Sequence, residues 1–371
     1  MKDLGFLSYS IDSVGCRQST SSNKYQIFNK VKSIRNNYVG NKKSILPSVV
    51  DTIIENIPDK GSLYDVFGGS GVVSLSLAKM GYNIYYNDIL ASSVLSVLNY
   101  SLPYVSRNVS IFFELLNETD DIYYHISDKF KDCFSPDEIL KIERYFSNII
   151  RRWGHPDGGN SDAIYWWAFL QGYLIYISFR GGRLNNNQVL SSYKFRKENK
   201  DIPDLFAKNR VIKHFKHFNK TFLGEPNGLN IQCSNLSFDC IEYPGNIDAV
   251  YIDPPYGDTL SNYGYMYSFF EEIYNSSSFN DITEANPGFS YFLSTKTYTE
   301  DISRVFDSVS KIPVIIFSYN NSGYVSLDEI CEIIKLIGYK CEVKCFDYRY
   351  KYRENWGRGM DMSEYLIIAT R

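Results

Sequence analysis

The chain has 371 residues, and its 39 Lys and Arg against 42 Asp and Glu give a formal net charge of −3. At 44% hydrophobic it carries enough apolar material for a large core, which excludes a mostly disordered chain. The near balance of charge excludes a protein coated in positive charge, but not a local basic groove.

Residues 1–24 are polar and Ser-rich and are expected to be loosely held; they lack the apolar run of a signal peptide. A glycine turn after Tyr38 then leads into a helix with Ile45, Leu46, Val49, Val50, Ile53 and Ile54 at helical spacing. Ser62 to Phe67 reads as a short strand that meets Gly68, Gly69 and Gly71 and opens a helix over 72–80. A second strand over 83–87 ends at Asp88, with a helix after it over 89–99. This β–loop–α–β order is the unit of a parallel, doubly wound sheet.

Residues 101–225 differ in character. They carry helical patterns and the aromatic stretch Ala163 to Phe179, broken by Gln171 and Gly172. That stretch is at the short limit for a membrane span and reads better as a buried helix. Between 191 and 220, Lys194, Arg196, Lys197, Lys200, Lys208, Arg210, Lys213, Lys216 and Lys220 face only Glu198, Asp201 and Asp204, a local net charge of +6. The α/β pattern resumes with strands over 247–252 and 313–318, a helix over 327–338, and closing strands over 340–350 and 365–369. The seven cysteines are odd in number, widely spaced and without CxxC, so neither a disulfide framework nor a metal site is expected.

Three constellations carry chemistry. In Asp65-Val-Phe-Gly-Gly-Ser-Gly71 a strand delivers a carboxylate, and glycines then let the backbone approach a ligand at a helix N-terminus. Asp88, at the end of the next strand, can accept hydrogen bonds from ribose hydroxyls or cap the following helix. Together the two acids and the glycine turn point to S-adenosylmethionine as cofactor. The third is Asp253-Pro254-Pro255-Tyr256, directly after a buried strand. The prolines stiffen a loop at the strand's carboxyl end, so that the Asp253 carboxylate and the Pro254 carbonyl become two fixed acceptors beside the Tyr256 ring. That suits the exocyclic amino group of a planar base, whose hydrogens the two acceptors hold while the ring stacks.

In this order, Tyr38-Val-Gly-Asn-Lys42, Asp65 to Gly71, Asn87-Asp88-Ile89 and Asp253 to Tyr256 resemble the motifs of the DNA adenine methylase family, the D12 or alpha group of N6-adenine DNA methyltransferases. Phe317 to Asn320 and Glu364 to Ile368 look like its last motifs. The resemblance implies a Rossmann-like α/β methyltransferase domain over 25–100 and 226–371, with a mainly helical target-recognition domain inserted over 101–225. It implies that Tyr38 and Lys42 border the cofactor and the target pocket. Phe67, Gly69, Ser70 and Gly71 would hold the methionine end, with Asp65 beside them, while Asp88 and Ile89 lie at the ribose. Asp253, Pro254, Pro255 and Tyr256 would hold a flipped adenine. Asn235-Leu236 stands where the family carries an acidic residue and an aromatic near the cofactor adenine. The implied activity is site-specific adenine-N6 methylation of double-stranded DNA in the cytoplasm, by a restriction–modification or orphan methylase, with a cognate endonuclease as a candidate partner and no metal or membrane. N4-cytosine or RNA adenine methylation, and a silent DNA-binding protein, stay open as alternatives. Lys194, Arg196, Lys197, Lys213 and Lys216 are the expected phosphate contacts. Ser261 to Phe270 is expected to act as a mobile lid.

Overall fold

The structure is a computed structural model and describes residues 21–33, 42–118, 121–122, 124, 126, 134–177, 204–221, 228–256, 263–276, 279–321, 323–348 and 362–371. Its centre is a seven-stranded sheet: β1 (Ser62–Asp65), β2 (Asn83–Asn87), β3 (Ile231–Ser234), β4 (Ala249–Ile252), β5 (Val314–Asn320), β6 (Lys340–Tyr348) and β7 (Met362–Thr370). The strand order is β3-β2-β1-β4-β5-β7-β6. The first five run parallel, while β7 enters antiparallel between β5 and β6. The fold class is therefore the Rossmann-like α/β one that the sequence predicts. Its order departs from the usual dinucleotide-binding one by the inserted β7. Strand β3 (Ile-Gln-Cys-Ser) was not anticipated.

Both faces of the sheet are covered, as a parallel sheet requires. Successive residues of β1 split between them, Leu63 entering one core and Tyr64 the other. On the Leu63 face lie α1 (Ser21–Ser33), α2 (Leu46–Asn56), α3 (Val72–Lys79) and α4 (Ala91–Ser101). Helix α1 begins at Ser21, inside the stretch expected to be loose, and buries Ile27, Phe28 and Val31. On the Tyr64 face lie α11 (Tyr298–Ser308) and α12 (Leu327–Leu336), reached after α9 (Tyr263–Asn275) and α10 (Phe279–Ala285).

The region between β2 and β3 supplies α5 (Ser110–Asn117), α6 (Pro136–Trp153), α7 (Ser161–Ile177) and α8 (Lys208–Thr221). Buried side chains of these helices join the core of the Leu63 face. Helix α7 is the aromatic segment. It is apolar all round because α4, α6 and α8 cover it, and among the described residues no helix is long and apolar enough to cross a membrane. Gln171 on α7 resolves its own polarity by donating to the Ser92 carbonyl of α4 at 3.1 Å.

Helix α4 has no side-chain cap of its own. Its first amides, Ala91 N and Ser92 N, instead donate to the Glu271 carboxylate of α9, each at 3.0 Å. Burial pushes the Glu271 carboxyl up to about 7. The segment after Asp253 is thereby pinned to the helix after Asp88. Tyr267, Ser268, Phe269 and Phe270 of that segment are buried in α9, so this part of the expected lid is a packed helix.

Candidate functional site

Because β1, β2, β4 and β5 are parallel, Asp65, Asp88, Asp253 and Ser318 all arrive at one edge, the carboxyl ends of the strands. Antiparallel β7 starts where β5 ends, with Asn320 opposite Glu364, so its first turns of chain reach the same edge. Two groups of side chains meet there.

The first group surrounds the glycine loop. Gly71 lies at φ +70 as the residue before α3, and a Cβ there would stand 2.3 Å from the Val97 side chain of α4. Gly68 donates to the Asn87 carbonyl at 2.8 Å with the Tyr86 ring against it, so the loop lies tightly over β2. The Asp88 carboxylate is anchored at both oxygens: Gly69 N donates to Oδ2 at 2.7 Å and Leu90 N to Oδ1 at 2.8 Å. It thus fixes the residue before α4 and leaves the first helical amides to Glu271, while each oxygen keeps a lone pair for a further donor. Burial pushes its carboxyl up to about 6, against the pull of these two amides. Asn235 Nδ2 donates to the Asp88 carbonyl at 2.8 Å, which an acid at that position could not do when ionised. Leu236 N donates to Asn87 Oδ1 at 3.0 Å. Ser70 is buried, and Ile89 is half-buried against Gly288.

Asp65 is the most enclosed acid of this group. Ser74 Oγ donates to Oδ2 at 2.5 Å, but Oδ1 is buried with no hydrogen-bond partner. Desolvation, helped by the charges of Asp253 and Asp88, pushes its carboxyl up to about 8. An orphaned buried carboxylate oxygen beside two further acids calls for a cation. Phe67, half-buried, packs on Phe238 and Phe292 at 5.8 and 5.6 Å between ring centroids. Those two rings escaped the sequence reading. Phe238 follows Asn235 closely, but Phe292 comes from a turn far along the chain.

The second group is a hydrogen-bonded cluster around Asp253. Lys42 Nζ lies 2.8 Å from Asp253 Oδ1 and 2.8 Å from Glu364 Oε1, and also donates to the Tyr256 hydroxyl. Tyr256 Oη is 2.6 Å from Asp253 Oδ1, 2.7 Å from Glu364 Oε1 and 3.2 Å from Ser318 Oγ. Ser318 Oγ donates to Glu364 at 2.9 Å. Burial and the Glu364 charge push the Asp253 carboxyl up, while the Lys42 ammonium holds it down. Desolvation works against the Lys42 charge, but the two carboxylates prevail and hold its pKa above the usual lysine value. Tyr319 supports the Tyr256 ring edge-on at 5.3 Å. The Pro255 carbonyl accepts from Tyr298 Oη at 2.7 Å, which fixes the loop from the α11 side, and Pro254 is buried.

The structure thus brings Lys42, Asp253 and Tyr256 into one cluster, and Asp65, Gly69, Asp88, Asn235 and Leu236 into the region of the glycine loop. Tyr38, Lys194, Arg196 and Lys197 lie outside the described residues. Lys213 and Lys216 sit on the exposed side of α8, a helix that supplies no side chain to either group. Among the described residues no cluster of three or more His, Cys, Asp or Glu could hold a metal ion.

A family model for the D12 class N6 adenine-specific DNA methyltransferases matches residues 38–315. Over 339 residues the chain is 23% identical to the Type II methyltransferase M2.HphI of Haemophilus parahaemolyticus, covering 87% of this chain and 94% of the relative. Among solved structures, a SAM-dependent methyltransferase from Methanosarcina mazei is similar at a TM-score of 0.34 and 8% identity, covering 86% of this chain and 96% of that one.

Proposed function

The chain belongs to the D12 class N6 adenine-specific DNA methyltransferases, and from that premise we propose that it methylates N6 of an adenine flipped out of duplex DNA, with S-adenosylmethionine as methyl donor. The observation that carries this reading is the meeting, at one sheet edge, of the acid-lined glycine loop and the Asp253 cluster. The residues of the loop fit a cationic nucleoside cofactor, because Asp65 offers a buried oxygen without a partner and Asp88 keeps free lone pairs. When bound, S-adenosylmethionine supplies a methyl group on a positively charged sulfur.

The chain's own residues then divide the work. Asp65 holds the ammonium of the methionine end, the backbone of Gly69, Ser70 and Gly71 follows it, and Asp88 accepts from the ribose. Phe67, with Ile89 and Leu236 nearby, borders the apolar parts. Asp253 and the Pro254 carbonyl accept the two hydrogens of the base's amino group. That amino group is a poor nucleophile while its lone pair is delocalised into the ring, and acceptors aimed at its hydrogens favour the tetrahedral, reactive form. The Tyr256 ring offers a stacking surface, which contributes roughly 1–3 kcal/mol toward the few kcal/mol that unstacking a base costs. Its likeness to a Type II methyltransferase supports a role beside a cognate restriction endonuclease, on DNA in the cytoplasm.

Incubation with labelled S-adenosylmethionine and mixed-sequence duplex DNA is expected to place label on adenine N6; label confined to cytosine or to RNA would sink the reading.

The duplex is proposed to lie across α8. Val211, His214 and Phe218 face the core, with Phe218 and His214 packed on Phe169 of α7. Lys213, Lys216 and Lys220, spaced along one helix side, are exposed. Each phosphate neutralised contributes a slope of about 0.9 in log affinity against log salt. Reversing Lys213 and Lys216 to Glu should therefore weaken duplex binding on the order of tenfold or more at low salt and reduce that slope by about 2. Filter or anisotropy titrations over a salt series check this, and an unchanged slope would place the duplex elsewhere.

A further inference from the structure

We infer that Glu364 is a positioning residue for methylation of the base: it shares Lys42 and Tyr256 with Asp253, so that one Asp253 oxygen is fixed, the other is left to the amino group, and the cluster keeps one negative charge in excess. The inference rests on the adenine-methylation reading above.

The geometry is unusual for a structural ion pair. One buried ammonium serves two carboxylates, each at 2.8 Å, and the side chains of Lys42 and Glu364 are less than a tenth exposed. A second buried carboxylate adds desolvation cost and repulsion, which stability alone would not select. Glu364 Oε1 gathers three donors, from Lys42, Tyr256 and Ser318. Two of these also reach Asp253, and both act on Oδ1. Among the described residues no donor reaches Asp253 Oδ2. Among those residues the carboxylate is thus held by one oxygen, with the other turned to a ligand's N–H.

The hydrogen count sharpens the point. Lys42 has three N–H bonds and can serve Asp253, Glu364 and the Tyr256 oxygen together, whereas the Tyr256 hydroxyl has one hydrogen and serves one carboxylate at a time. With Glu364 present, that hydrogen can turn away from Asp253 and leave its electron density for the base. Without the Glu364 charge, both donors would fall to Asp253, and Lys42 with Asp253 would make a neutral pair.

The excess charge acts where it is needed. As N6 bonds to the methyl carbon, the carbon–sulfur bond breaks with its electron pair on sulfur, and positive charge appears on the nitrogen. The nitrogen then sheds one proton to Asp253 or to water. That charge is absent while the base merely binds, so a nearby negative cluster favours the transition state over the bound state.

The test compares wild type with Glu364→Gln, which keeps the size and a hydrogen-bonding oxygen. Single-turnover methyl transfer is expected to fall about 10- to 100-fold. Affinities for S-adenosylmethionine and for target duplex should stay within about threefold. Because the Glu364 charge raises the Asp253 pKa, the acid limb of the rate–pH profile should also move to lower pH. Glu364→Asp keeps the charge and is expected to leave that limb in place, and it carries the test if the Gln variant does not fold. An unchanged rate, or a rate falling in step with both affinities at an unmoved acid limb, overturns the inference. Wild type run alongside separates the two readings: if it labels adenine while Glu364→Gln matches it, only the role of Glu364 fails. If wild type leaves adenine in duplex DNA unlabelled, both fail.

Discussion

Asp253→Ala is expected to lower the methyl-transfer rate about a thousandfold while S-adenosylmethionine still binds. The substitution removes one of the two acceptors aimed at the amino group. It also leaves Lys42 with Glu364 alone, turning a cluster with excess negative charge into a neutral pair next to a nitrogen that must become positive. Loss of a single preorganised group at such a point costs on the order of 10²- to 10³-fold, and here the positioning is lost with it. Cofactor affinity should change little, because the acids at the glycine loop remain. Asp65 would lose one repelling neighbour, so its pKa would drop and its pairing with a cation would be eased slightly. Asp253→Asn should fall between the two, since the amide keeps a carbonyl oxygen but can present its NH₂ to the base instead. Single-turnover labelling gives the rate and calorimetry the affinity; a rate within tenfold of wild type would show that another group holds the base.

What the sequence reveals of this site follows contiguity. Asp65 and the glycines share one loop, Asp88 closes the next strand, and Asp253 to Tyr256 stand together, so strand ends and turn residues mark them directly. Lys42 also stood out, through the likeness of Tyr38-Val-Gly-Asn-Lys42 to the family's first motif. Glu364 stood out only as the first residue of a closing motif and without a role, because a single acid in a strand reads as a solvent-facing position of a period-two pattern. Only the antiparallel entry of β7 beside β5 turns it inward beside Ser318 and the end of β4. Glu271 was hidden for a related reason. Its partners are backbone amides at the start of α4, and nothing local in 261–276 announces a cap for a helix so distant in sequence. The helical region expected over 101–225 meets the same limit. Its helical periodicity was legible, but not that Phe112, Tyr145 and Trp167 would join Leu75 and Leu95 in one core.

The other large effect concerns Asp65 and pH. Burial pushes its carboxyl up to about 8, so at pH 7 it is mostly protonated. The sign for stability follows. The unfolded chain ionises this group near 4 and the folded chain near 8, so its contribution is full below about pH 4, and stability is lost as pH rises through that window. Cofactor binding runs the other way. An ammonium placed at Oδ1 pairs with the ionised form, so the proton must leave as the cofactor enters. Affinity for S-adenosylmethionine should therefore rise more than about tenfold from pH 6 to 8, and decline above about 8, where an α-amino group loses its own charge. Calorimetry near pH 7 in buffers of different protonation enthalpy should show release of most of one proton. Asp65→Asn should abolish both the rise and the release, and weaken binding most at pH 8, where the wild-type carboxylate is ionised. At pH 6, with the wild-type group already neutral, the two proteins should bind almost alike. Wild-type affinity that is flat from pH 6 to 8 with no proton released would mean that the ammonium lies elsewhere, and that the orphaned oxygen of Asp65 serves the fold alone.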